Sequence, residues 1–137
     1  ERFAWRESGD GWVADPAPVV AALVRLAAAG APPARIAGAF HHAAADLIVE
    51  GARRARRRFG VRAVALTGGV FQNERLVALA VEGLAREGFD VLLHRAVPCN
   101  DGGLALGQAW AAGRLGAAPH GARIDMTEPA VAGVEGR

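Results

Sequence analysis

The spacing of apolar residues changes several times along the chain, and each change marks an element. Residues 2 to 15 set two short aromatic and β-branched runs, "FAWRE" and "WVAD", on either side of "SGDG", which predicts a β-hairpin. Asp15-Pro16 then supplies an N-cap and a proline at the first helical position, and Val19, Val20, Leu23, Leu26 and Ala27 hold helical spacing until Gly30. A first helix is expected over about 16–29. After the breaker "APPAR", Ile36, Phe40, Ala44, Leu47, Ile48 and Gly51 fall three and four apart, predicting a long amphipathic helix to about residue 59.

The period then shortens. Val64-Ala65-Leu66 is apolar on both sides, as expected of a buried parallel strand. Asn73 is placed to cap a helix from Glu74 to about Glu87, with Leu76, Val77, Ala80, Val81 and Leu84 inward and Gly88 as its stop. "FDVLLHRAV" predicts a second buried strand at about 89–94, and a last helix begins at Leu104 and stops near Gly113. Beyond Gly116 the chain is Gly, Ala and Pro with scattered charge, so the expected organisation is one α/β domain over 1–115 and a loosely attached tail over 116–137.

The order strand, Gly-Gly loop, helix, strand, Gly-Gly loop carries a geometric consequence. Two strands joined by one helix should be parallel neighbours with a right-handed crossover, so the loops that follow them lie at one edge of the sheet. Gly68-Gly69 and Gly102-Gly103 should therefore be close together. The carboxyl edge of such a sheet is where ligands bind, and helix N-termini there favour phosphate, which makes a nucleotide or other anion the leading candidate. The pattern is neither G-x-G-x-x-G nor a Walker loop. Asp101 either caps the helix that follows or faces the site and holds a divalent cation, and spacing alone favours the cap.

Composition removes several alternatives. All 16 basic residues are arginine, and net charge is only +2, so the pI near 9.9 does not imply a nucleic-acid partner. The run "RRARRR" at 53–58 sits at a helix end, where cations offset the dipole, and no aromatic residue interleaves it for base stacking. His42 and Asp46, one turn apart, form too small a set for a metal site. Ser8, the only serine, lies in the hairpin turn without a base, and lone Cys99 reads as a small apolar residue. A single cysteine and the lack of a signal peptide or long apolar run point to the cytoplasm and away from a membrane. The start at "ERFAW", without methionine, suggests a piece of a longer protein.

"TGGVFQN" at 67–73 with "VPCNDGGLALGQAW" at 97–110 resembles the C-terminal end of the HypF family, carbamoyltransferases of [NiFe]-hydrogenase maturation. "ADPAPVVAALV" and "AFHHAAADLI" are similar as well, so the resemblance covers about residues 1–115. It implies the second lobe of a two-lobed domain with the actin-like fold of sugar kinases and Hsp70, a ribonuclease H-like arrangement of parallel strands and helices. In such a protein carbamoyl phosphate and ATP give carbamoyl-adenylate, and the carbamoyl group passes to the C-terminal cysteine of a HypE family partner, where it becomes the source of cyanide. By position Gly68, Gly69 and Asn73 would contact the nucleotide, and Asp101 would be the catalytic residue, holding a divalent metal on phosphate oxygens. That implication reverses the preference for a cap.

The family's other metal ligands, two histidines in the first lobe, are not replaced by His41-His42. Cys99 stands where proline is common in the family and Thr67 where serine is. With the first lobe missing, half a cleft is expected to be catalytically silent. Two further readings stay open: an interaction module that binds nucleotide without transferring anything, and a scaffolding half-domain whose loops only turn the chain.

Overall fold

The computed structural model describes residues 1–116. Strands β1 (Ala4–Ser8) and β2 (Gly11–Asp15) form the expected antiparallel hairpin, in register from Ala4 opposite Asp15 to Ser8 opposite Gly11. Helix α1 (Ala17–Ala28) starts one residue later than expected, with Pro16 at the cap position, but the Asp15 carboxylate still accepts the free Ala17 N–H at 2.8 Å. Helix α2 (Pro33–Phe59) is the long amphipathic helix, closed by Gly60 at φ 71°.

Strand β3 (Ala63–Leu66), helix α3 (Glu74–Arg86) and strand β4 (Asp90–Leu93) make the predicted β-α-β unit. Its strands are parallel, with Ala63 opposite Asp90 and Leu66 opposite Leu93. The core is Val49 and Ala52 of α2, Leu66 of β3, Ala80 and Leu84 of α3, and Phe89. Helices α2 and α3 approach closely because residue 83 is glycine: a Cβ there would stand 2.7 Å from Val49 Cγ2.

One expectation fails here. The strands are not buried on both faces: Ala63 and Ala65 are exposed, and Leu92 and Leu93 remain 57% and 44% accessible. Val64 and Leu66 turn toward the helices, and with period-two alternation their neighbours turn away from them. Among the described residues this sheet has two strands, and an apolar run cannot say whether its second covering layer belongs to the same chain.

The arginine run is internal scaffolding. Arg54 lies over Trp5, Arg58 over Trp12, and Arg56 over Phe89, at 4.8, 5.4 and 4.2 Å from the ring centroids. Arg53 pairs with Glu87 at 2.6 Å, and Arg57 with Glu50 at 3.1 Å. The aromatic partners are far from the arginines in sequence, yet here they tie the hairpin and the turn between α3 and β4 to the last turns of α2. His42 and Asp46 do not act as a pair either, since Asp46 meets Arg2 at 3.2 Å.

The last helix, α4 (Leu104–Gly116), belongs to a separate unit and runs past the expected stop at Gly113. The tail expected from 116 falls, beyond that residue, outside the described residues. Among the described residues no helix is long and apolar enough to cross a membrane.

Candidate functional site

The two loops meet where the sheet topology requires. Because Leu66 and Leu93 are level in a parallel ladder, both strands deliver the chain to the same edge. There the Gly68 N–H donates to the Cys99 carbonyl at 2.6 Å, joining the first loop to the second through their backbones. A second tie runs beside it, with His94 Nε2 2.9 Å from Thr67 Oγ1, between the residues that directly follow β3 and β4. His94 was not among the sequence candidates. Its place one residue past a strand end, level with Thr67, is a signal the register contains but the motif does not.

The four glycines do different work. Gly68 has φ 107° and ψ 159°, a backbone region open essentially to glycine alone. At Gly103 a Cβ would stand 2.8 Å from the Pro98 carbonyl oxygen and 2.8 Å from Val97 Cγ1, so the second loop folds too tightly for a side chain. Gly102 would bring a Cβ to 3.0 Å from Asn100 Oδ1. Gly69 is different: its nearest neighbour would be Gln72 Oε1 at 4.0 Å, and its φ is not in the left-handed region. Among the described residues no packing demands glycine at position 69.

The cap at the second loop is made by Asn100. Its Oδ1 accepts the Gly102 N–H at 3.0 Å, and its carbonyl accepts the Gly103 N–H at 3.0 Å. The cap reading of Asp101 is therefore corrected. Asp101 opens the short 3-10 turn Asp101–Gly103 with its side chain exposed, and no hydrogen bond or ion pair among the described residues engages its carboxylate. That leaves it free to bind a cation. The described residues hold no group of three or more His, Cys, Asp or Glu able to bind a metal, so by themselves they make no metal site around Asp101.

Asn73 caps α3 as expected, accepting the Leu76 N–H at 3.0 Å. Its amide nitrogen lies 2.9 Å from His41 Nε2, and His41 Nδ1 lies 2.7 Å from the Ala37 carbonyl oxygen. His41 thus reaches Asn73 from α2, with both ring nitrogens engaged.

Residues 1–108 match the family described as "Carbamoyltransferase, Kae1-like Domain, second subdomain". The chain belongs to the HypF carbamoyltransferase family. It is 51% identical over 81 residues to the carbamoyltransferase HypF homolog of Cupriavidus necator, covering 59% of this chain and 21% of that protein. It is 46% identical over 99 residues to carbamoyltransferase HypF of Rhodobacter capsulatus, covering 72% of this chain and 13% of that protein. The chain thus spans about a fifth or less of the length of these HypF relatives. Among solved structures it is similar to full-length HypF in the phosphate- and nucleotide-bound form, with a TM-score of 0.76 and 32% identity over 84% of this chain and 15% of that one. HypF of T. kodakarensis is similar too, with a TM-score of 0.68 and 28% identity over 84% of this chain and 15% of that one.

Proposed function

We propose that this chain is one wall of the nucleotide cleft of a HypF-type carbamoyltransferase, the second lobe of an actin-like, two-lobed ATPase fold. The observation that carries this reading is the Gly68–Cys99 backbone bond, which brings both glycine loops to one sheet edge beside the uncommitted Asp101 carboxylate. Gly68, Gly69, Asn73, Gly102 and Gly103 line the nucleotide, and backbone N–H groups of the two loops hold its phosphates. Asp101 would be the residue of this chain that holds a divalent cation, which would supply charge to offset that of the phosphates.

The substrates are ATP and carbamoyl phosphate, which with one water give carbamoyl-adenylate, phosphate from the carbamoyl phosphate and pyrophosphate from the ATP. The acceptor is the C-terminal cysteine thiolate of a HypE family protein; its sulfur attacks the carbamoyl carbon while the bond to the adenylate phosphate breaks and AMP leaves. The role of this chain is to hold the adenylate still for that attack. The first lobe supplies the other wall and the remaining metal ligands, so the isolated chain is inactive. The product serves cyanide synthesis in [NiFe]-hydrogenase maturation, in the cytoplasm.

The test uses the complete two-lobed domain, wild type and Asp101→Ala, titrated with an ATP analogue and a divalent cation and assayed for carbamoyl transfer. Loss of one charge-stabilising ligand is expected to lower transfer by about a hundredfold or more. Unchanged transfer in the variant would sink the metal role.

A further inference from the structure

We infer that His41 is a positioning residue for the nucleotide, acting through Asn73; this rests on the nucleotide reading of that edge. Asn73 Oδ1 accepts the Leu76 N–H, so the atom turned toward α2 is the amide nitrogen, which can only donate. His41 Nε2, 2.9 Å away, must then be the acceptor. On the other side of the ring, Nδ1 is 2.7 Å from the Ala37 carbonyl oxygen, which can only accept. Nδ1 therefore carries the proton, and a single neutral tautomer satisfies both neighbours.

The relay runs from the Ala37 carbonyl through the His41 ring and the Asn73 amide to the first turn of α3. It joins two helices whose sequences are 32 residues apart at this bond. The cap bond decides that the amide nitrogen faces α2, and His41 holds that nitrogen at a second point. The second N–H of the amide has no partner among the described residues, and Asn73 is exposed. A carboxamide held in this way offers one donor in a fixed direction, which suits an acceptor on the sugar or base of a nucleotide.

Two measurements test the inference. Long-range 1H–15N NMR of the histidines in this chain should show His41 as the Nδ1–H tautomer with an unprotonated Nε2. A protonated Nε2 in the neutral ring would overturn the relay without any variant being made. The second measurement titrates ADP and magnesium into the complete HypF-type protein carrying this sequence.

His41→Phe keeps the ring and removes the acceptor, and it should weaken binding roughly three- to tenfold, the effect of one neutral hydrogen bond. His41→Gln, whose side-chain oxygen can accept from Asn73, should recover most of that loss. Asn73→Ala should weaken binding at least as much as His41→Phe. Wild-type affinity in His41→Phe alongside weakened Asn73→Ala would overturn the positioning role and leave the nucleotide reading standing. Wild-type affinity in Asn73→Ala would remove the nucleotide role of Asn73 itself, and the inference with it.

Discussion

The Gly68 N–H donates to the carbonyl of Cys99 across the gap between two loops, at 2.6 Å. Both partners are backbone groups, so the tie needs glycine geometry on one side and no particular side chain on the other. Gly68→Ala is expected to destabilise the fold by about 1–3 kcal/mol, because φ 107° is strained for any residue with a Cβ. Cys99→Ala keeps the carbonyl and should change stability by no more than about 1 kcal/mol. Chemical denaturation of the two variants separates these outcomes, and equal losses would mean that the sulfur and not the carbonyl holds the loop.

Gly69 gives the cleanest probe of ligand approach. Since a Cβ at 69 would meet nothing closer than 4.0 Å, Gly69→Ala should fold with unchanged or slightly raised thermal stability. If the open space is where a nucleotide comes against the backbone, the same variant should bind ADP at least about tenfold more weakly in the complete protein. Calorimetric titration beside a melting curve reads both quantities, and unweakened binding would mean that the added methyl group meets no ligand at this position.

Helix contact is set by a different glycine. In α3, Gly83→Ala gains about 1 kcal/mol of helix propensity, but the new methyl group meets Val49 Cγ2 at 2.7 Å, and overpacking of this kind costs about 1–3 kcal/mol. A net loss of about 1 kcal/mol is expected. In a Val49→Ala background the clash disappears and the substitution should turn stabilising. A double-mutant cycle by urea denaturation measures the change of sign.

Acid stability should depend on Glu87. The hydrogen bond from Arg53 holds its carboxyl below the ordinary value of 4.5, assisted by the charges of Arg53 and Arg56 and opposed by partial burial. A depressed carboxyl contributes stability that is complete above the ordinary carboxylate range and is lost as pH falls through that range and below it. Arg53, raised above the usual arginine range chiefly by the same hydrogen bond, stays charged throughout. Glu87→Gln should therefore melt lower than wild type at pH 7, and the difference should close as the solution is acidified below about pH 4. A gap that persists at pH 2 would assign the effect to packing.

The periodic parts of the sequence were read to within a few residues: α2, α3 and the parallel pair β3 and β4 stand where spacing, caps and terminal glycines put them. What residue spacing could not show has a common cause. "RRARRR" showed no aromatic neighbour because Trp5, Trp12 and Phe89 are distant in sequence, and "VAL" looked buried on both faces because a pattern does not name its second layer. Asp101 looked like a cap because a carboxylate before two glycines suits one, but Asn100 takes both glycine N–H groups, Gly102 with its side chain and Gly103 with its carbonyl.

What the sequence determined by itself is local: element types, the crossover that forces two glycine loops to one edge, and motifs specific enough to mark the HypF family. Tertiary structure alone decided which glycines the fold requires, which carboxylate is left free, and that His41 supports Asn73. Those depend on distances between residues far apart along the chain, and hydrogen-bonding capacity acquires a direction only when packing has set both partners in place.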